Sequence, residues 1–312
     1  MATAGTTDVS QAFSEIPLGT WSYEEAFSRN LGLIAPEEQQ RLRHSRAAIV
    51  GMGGVGGIHL VTLARLGIGH FTIADPDTFE TVNFNRQYGA TLRGLGRPKV
   101  DVMAEEARSI NPELDLRIFR EAITEKSAAD FLEGADVLVD GIDFFNIEAR
   151  RLVFREARNR GIWAVTAGPV GFSTPWLVFN PHGMGFDEYF ALTDEMDRPD
   201  QLIAFAVGLT PRATHLKYLD LRQVDVGDRV GPSASLACHL ASGVAAAEVI
   251  KILLNRGPIR PVPWYFQFDA HRCVLRKGRL WLGNRHPWQR YKRWRLRRRF
   301  FGKPDLKTRT MP

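Results

Sequence analysis

The chain has 312 residues, 44% of them hydrophobic, 10% aromatic and 24% charged, a composition that excludes disordered, fibrous and repeat polymers. Its two cysteines, Cys238 and Cys273, supply neither a disulfide framework nor paired Cys-x-x-Cys zinc ligands. The formal charge of +6 is unevenly spread, because residues 272–312 hold fifteen Lys or Arg and one acid, while 26 bases against 34 acids leave residues 1–271 at −8.

Residues 1–20 are small and polar and read as a loose arm, with order expected from Trp21. Tyr23 to Arg46 reads as helical, Pro36 opening a second segment over Glu37–Arg43. Ala47–Val50 is a short apolar run stopped by glycines, which predicts a strand and a turn; Val55–Leu66 then has helical spacing, and His70–Ala74 predicts a second strand ending at Asp75. The alternation goes on through a helix 98–110, a strand 115–119, a helix 127–132, a strand 136–140, a helix 147–160 and a strand 162–166. Strands separated by helices imply an α/β fold, a Rossmann-like, doubly wound and mostly parallel sheet. After Gly171 the pattern changes to an extended run, 175–179, and then to a crossover segment, 181–232, too long for an ordinary connection and read as a lid or substrate surface. A small-residue helix, 233–254, and a strand, 264–268, expected at a sheet edge among antiparallel C-terminal strands, close the body. The expected division is therefore an arm (1–20), an α/β body (21–271, with 181–232 as its crossover) and a basic, aromatic tail (272–312). The longest uncharged apolar run, 202–209, is too short to span a bilayer, and the first thirty residues lack a basic segment followed by an apolar core, so a cytoplasmic location is expected.

Gly51-Met52-Gly53-Gly54-Val55-Gly56 follows the first predicted strand and opens a helix, with Asp75 ending the next strand. Glycines in that context let backbone approach a phosphate at the positive end of a helix dipole, and the carboxylate suits ribose hydroxyls. Beyond the second strand stand Asp77, Asn83, Arg86, Gln87 and, after Gly96-Arg97-Pro98, Lys99, an amide-and-cation set fit for a triphosphate. Asp140 and Asp143 end the fourth predicted strand on the same edge, where a carboxylate suits Mg²⁺.

In order and spacing, Gly-x-Gly-Gly-x-Gly, Asp75-x-Asp77, Asn83-Phe84-Asn85-Arg86-Gln87, Arg97-Pro98-Lys99 and Asp140-x-x-Asp143 resemble the ThiF/MoeB/HesA family of adenylating enzymes, over roughly residues 27–254. The resemblance implies binding of ATP and Mg²⁺ and transfer of AMP to a substrate carboxylate with release of pyrophosphate. It implies ribose contact by Asp75, phosphate and transition-state contacts by Asn83, Arg86, Gln87 and Lys99, and Mg²⁺ at Asp143. It also aligns Phe27-Ser28-Arg29 with an element whose arginine reaches the partner subunit's ATP, which makes Arg29 catalytic and the protein a homodimer. Adenylation needs no protein base, since the attacking carboxylate is already ionised; it needs cations against the charge of the leaving pyrophosphate.

The departures are informative. Both places where many members carry zinc cysteines are filled by other residues, around 181–188 and 283–287, so no zinc is expected, and the crossover segment has no cysteine for a covalent intermediate. Phe144 follows Asp143 where the family usually has Asn. The substrate stays open between a ubiquitin-like carrier protein, a peptide and a small carboxylate; an RNA-modifying, tRNA-cyclising enzyme and a non-catalytic regulatory module are the alternatives. The tail, with Trp288, Tyr291 and Trp294 among arginines, is open to RNA, to an anionic membrane, to an acidic protein, or to packing by its aromatic side onto the acidic body.

Overall fold

A computed structural model describes residues 21–224 and 231–302, so the expected arm, the end of the tail and 225–230 of the crossover lie outside the described residues. Eight strands, β1 (Arg46–Val50), β2 (His70–Ala74), β3 (Asp115–Phe119), β4 (Val137–Asp140), β5 (Trp163–Ala167), β6 (Ser173–Phe179), β7 (Trp264–Asp269) and β8 (Val274–Arg279), form one sheet in the order β3-β2-β1-β4-β5-β6-β7-β8. The first five pair in parallel and the last three antiparallel. Residue by residue, β1 and β4 are buried throughout, as strands covered on both faces must be, whereas burial alternates along β7 and β8 is mostly exposed.

The helices are α1 (Tyr23–Ala26), α2 (Pro36–His44), α3 (Gly56–Arg65), α4 (Lys99–Ile110), α5 (Ala128–Phe131), α6 (Ile147–Asn159), α7 (Phe186–Phe190), α8 (Arg198–Leu209), α9 (Ser235–Leu254) and α10 (Pro287–Phe301). One apolar core joins the sheet to α3, α4 and α9, and the other joins it to α5, α6, α7 and α8. Small residues let α9 approach closely: Ala237, Ala241, Ala245 and Ala246 are buried, and Ser242 Oγ donates to Ile58 O on α3 at 3.0 Å. With a mean hydropathy of 1.6, α9 is long and apolar enough to cross a membrane; here it lies against β5, β6 and α3 with half of that stretch buried.

Three expectations change. The crossover is no simple lid, since α7 and α8 pack into the second core, where Leu202, Ala204, Phe205 and Leu209 are buried and Arg151 pairs with Asp187 and Asp194. The strand at 264–269 is not the edge, because β8 pairs along its whole length and carries the sheet across residue 271. The tail also does not lay its aromatic side on the body: α10 packs on α8, with Gln289 bonding Val207 in it and Lys292 and Arg293 reaching Pro211 and Met196 at either end of it, and its tryptophans face outward.

Candidate functional site

The strand order places the switch point between β1 and β4, and the ends of both strands meet there. After β1 the chain turns through Gly51, whose φ is +90°, and enters α3 at Gly56. A Cβ on Gly51 would lie 2.2 Å from Gly141 O, and one on Gly56 would lie 1.7 Å from Gly51 O, so these two glycines are demanded by the close approach of the turn to itself and to the end of β4. Gly53 and Gly54 differ. A Cβ on Gly53 would find nothing nearer than Gln87 Nε2 at 3.6 Å, and one on Gly54 nothing nearer than Cys238 Sγ at 3.5 Å. Nothing in the protein's own packing requires them to be glycine, since a Cβ at either would meet only side chains at ordinary contact distance, and both stand at the N-terminus of α3, where helix amides carry partial positive charge.

Arg86 and Gln87 flank the two glycines, Arg86 Cγ lying 4.0 Å from the Gly54 Cβ position. Gln87 is buried, and among the described residues its Oε1 has no hydrogen-bond partner. Arg86 Nη1 is steadied by Val82 O at 2.8 Å and Asn85 Oδ1 at 3.0 Å. Lys99, the first residue of α4, is buried and donates to Asp77 Oδ2 at 3.0 Å, while its N–H donates to Asp77 O at 2.9 Å. The helix start thus presents a cation whose counterion, Asp77, is exposed.

Asp75 accepts from Met52 N–H at 2.6 Å through one oxygen and from Asp77 N–H at 2.8 Å through the other, so it pins the glycine turn to the end of β2. Burial pushes its carboxyl above the usual range, with Lys99 pulling it back. Asn83 is also buried, and its Oδ1 accepts from Glu80 N–H at 2.9 Å. Asp143 is exposed at the end of β4; its Oδ1 accepts from Phe145 N–H at 2.9 Å. Its neighbour Asp140 is buried against Arg150 Nε at 2.8 Å, Thr166 Oγ1 at 2.7 Å and Ile142 N–H at 3.0 Å, and is therefore a brace. Arg29 is not brought to this edge within the chain. It is exposed on a short turn whose next residue, Asn30, donates to Leu66 O just past the far end of α3.

Two further polar features of this sheet edge lack a signal in the sequence. Arg150, on α6, holds the turn after β4 by donating to Ile142 O at 2.6 Å and Asp143 O at 3.3 Å, with its guanidinium 4.4 Å over the Phe205 ring. The second is a polar group on the same sheet edge beyond β5, where Gln267 Nε2 lies 3.0 Å from Ser173 Oγ and 3.3 Å from His215 Nδ1, with Asp269 fully buried nearby. Burial lowers His215 to about 4, against the pull of Asp269. The crossover returns beside it: Ser233 bridges Gly171 and accepts from Asn85 Nδ2 at 2.9 Å. Cys238 stands at the start of α9 near Arg86, its thiol raised to about 11 by burial, the mark of an inert thiol at neutral pH.

The family model described as "ThiF family" matches residues 27–281, spanning the glycine turn, the Arg86–Lys99 cations and all eight strands. The chain belongs to the ThiF family. Among relatives, the tRNA threonylcarbamoyladenosine dehydratase of Haemophilus influenzae is 33% identical over 154 residues, 49% of this chain and 58% of that protein. The sulfur carrier protein ThiS adenylyltransferase of Escherichia coli K12 is 31% identical over 157 residues, 50% of this chain and 62% of that protein. This ThiF chain thus spans about three-fifths of the length of these curated relatives. The solved structure of PaaA superposes with a TM-score of 0.63 at 20% identity over 84% of this chain and 85% of that one, and E. coli MccB with ATP gives 0.61 at 20% over 83% and 71%; both share the fold.

Proposed function

We propose that this ThiF protein is an ATP-dependent adenylyltransferase that converts a substrate carboxylate to an acyl-adenylate. The observation that carries the reading is a pair of glycines at the start of α3, Gly53 and Gly54, which the chain's own packing does not require and which stand beside Arg86 and the amide oxygen of Gln87, unpartnered among the described residues. Two glycines that the fold does not need, at a helix N-terminus flanked by cations, suit a phosphate chain. Membership in a family with adenylyltransferases among its relatives supports the same conclusion.

In this reading a carboxylate oxygen of the substrate attacks the α-phosphorus, the bond to the bridging oxygen breaks, and pyrophosphate leaves. Arg86 and Lys99 neutralise the developing phosphate charge, Lys99 exchanging Asp77 for phosphate oxygens. Asp75 keeps a lone pair on each oxygen after its two backbone bonds, enough to accept from a ribose hydroxyl, and Asn83 and Gln87 contribute amides. A single exposed carboxylate, Asp143, with one oxygen taken by backbone, fits Mg²⁺ held mainly by phosphates and water. When bound, that ion would screen the triphosphate; Arg150 holds the turn that presents Asp143.

The further expectations are a homodimer in which Arg29 reaches the partner's site, a chain without structural zinc, and a carrier protein, peptide or small carboxylate as substrate. Calorimetric titration with Mg·ATP and with NAD tests the binding: ATP binding that Lys99→Ala and Arg86→Ala each weaken at least tenfold is expected, and tight NAD binding without ATP binding overturns the reading. Mixing Arg29→Ala with Lys99→Ala subunits tests the dimer, since one working site per heterodimer recovers activity only if Arg29 acts in trans.

A further inference from the structure

The sequence of α10, Pro-Trp-Gln-Arg-Tyr-Lys-Arg-Trp-Arg-Leu-Arg-Arg-Arg-Phe-Phe, contains no acid, and the described residues of 272–302 hold twelve Lys or Arg. At 100° per residue, Gln289, Lys292, Arg293, Leu296 and Phe300 share one face, and this face meets the body. Gln289 Nε2 donates to Val207 O at 3.0 Å, Lys292 Nζ to Pro211 O at 2.6 Å, and Arg297 Nη2 pairs with Asp197 at 2.7 Å. The anchoring of the helix is therefore polar, and its aromatic residues are left for solvent.

Trp288, Tyr291 and Trp294, three apart, form an outward ladder, with 61%, 45% and 52% of their surface exposed. Their rings lie nearly parallel, 24° and 30° apart, with centroids 5.3 and 5.9 Å from one to the next. Arg298 sits 4.5 Å over Trp294, and nearby in the chain Arg279 sits 3.4 Å over Trp281, which is 62% exposed. Arg290, Arg295, Arg298 and Arg299 are exposed and make no ion pair among the described residues.

We infer that this face binds unpaired nucleotides, bases stacking on the Trp288–Tyr291–Trp294 ladder and phosphates meeting the flanking arginines. Two physical arguments select this occupant. A helix lying in a bilayer surface separates an apolar face from a cationic one, whereas here Arg295 and Arg298 stand between the tryptophans on a single face, and burying that face in hydrocarbon would desolvate the guanidinium groups. Flat aromatic faces interleaved with cations are what a single strand offers bases and phosphates to, and a duplex keeps its base faces hidden. The inference does not depend on the adenylation reading, because none of these residues borders the glycine turn.

The test uses the full chain and fluorescein-labelled 15-mers, oligo(U) and oligo(dT), with a 15-base-pair duplex, heparin and phosphatidylglycerol vesicles as alternatives. Expected are preference for single strands, quenching of tryptophan emission, and a log–log salt slope of about −2 or steeper, the value for three phosphates at about −0.7 each. The triple variant W288A/Y291A/W294A should bind at least about tenfold more weakly, the scale of one or two lost stacks, while keeping its melting temperature and ATP titration; W288F/W294F should retain most of the affinity. Equal binding of single strand, duplex and heparin that the triple variant leaves unchanged would reduce the face to bare charge and overturn the inference. So would binding to vesicles alone, or to no polyanion at 50 mM salt.

Discussion

The parallel half of the sheet and its antiparallel half solve opposite problems. At the ends of β1, β2 and β4, polar side chains are turned inward and tied to the chain: Asp75 to the backbone of Met52 and Asp77, Asn83 to that of Glu80, and Asp140 to the Ile142 backbone and the Arg150 guanidinium. The result is a braced turn that sets two glycines its own packing does not require at the start of α3. In the half built from β6, β7, β8 and α10, polar groups also face inward, yet they serve to hold a helix whose aromatic side is left outside. Three of the last four carbonyls of α8 show how: Ala206 O accepts from Thr210, Val207 O from Gln289 and Gly208 O from Tyr189. One half thus spends its polar groups on shaping a site, the other on presenting a surface.

The largest effect that would break this comparison lies within the glycine turn. Gly56→Ala should destabilise the protein by about 4 kcal/mol or more, because the new methyl meets Gly51 O with no room for relaxation against β4. Gly53→Ala should melt within a degree or two of wild type yet bind Mg·ATP far more weakly. Thermal melts paired with titration check both; equal melting temperatures for the two variants would show that the turn is not shaped by its own contacts.

Much of the first half is legible in sequence, since a parallel sheet needs unbroken apolar strands, glycines mark its turn, and the residues that matter lie within a few positions of strand ends. The glycine turn, Asp75, Arg86 and Lys99 all fall where local spacing places them. Arg150, His215 and Gln267 do not, because each gains its role from partners far along the chain: Arg150 through the turn after β4 and the Phe205 ring, and His215 through a partner 52 positions away. Which side of the tail faces the body is not legible for a related reason. Aromatic spacing of three reads as a buried stripe unless the polar residues between them are known to have carbonyls to bind, and those carbonyls belong to α8 and the residues after it.

Arg150→Met should cost roughly 3 kcal/mol, as it leaves Asp140 buried with its paired cation gone. It should also weaken ATP binding, which a purely structural loss in the other half would not. Urea denaturation and titration of the same sample separate the two readouts.

Acid should weaken both halves together. His59, buried on α3 with neither ring nitrogen partnered among the described residues, is lowered to about 4 by burial despite Asp140, and His215 is lowered to about 4 in the other half. The unfolded chain takes up these protons near pH 6.5 and the folded one does not, so stability is full above about 6.5 and falls as pH drops toward 4, by on the order of 3 kcal/mol for each histidine. His59→Leu should remove about half of that slope between pH 7 and 4.5 in urea titrations. An unchanged slope would mean that His59 is not the group being charged.

The smallest effect asks what holds α10 in place. Gln289 is buried and closes an orphan helix carbonyl, so Gln289→Leu should cost about 1–2 kcal/mol by leaving Val207 O unsatisfied. Arg297 pairs with Asp197 and Asp200, both largely exposed to water that screens them, so Arg297→Ala should cost less than about 1 kcal/mol and less still in 0.5 M salt. Hydrogen exchange along α10 checks the pair: faster exchange in the Gln289 variant with little change in the Arg297 variant means that the helix is docked by buried hydrogen bonds and its outer face is free to bind. The reverse order would make the attachment electrostatic, and a polyanion would then compete with the body for the same helix.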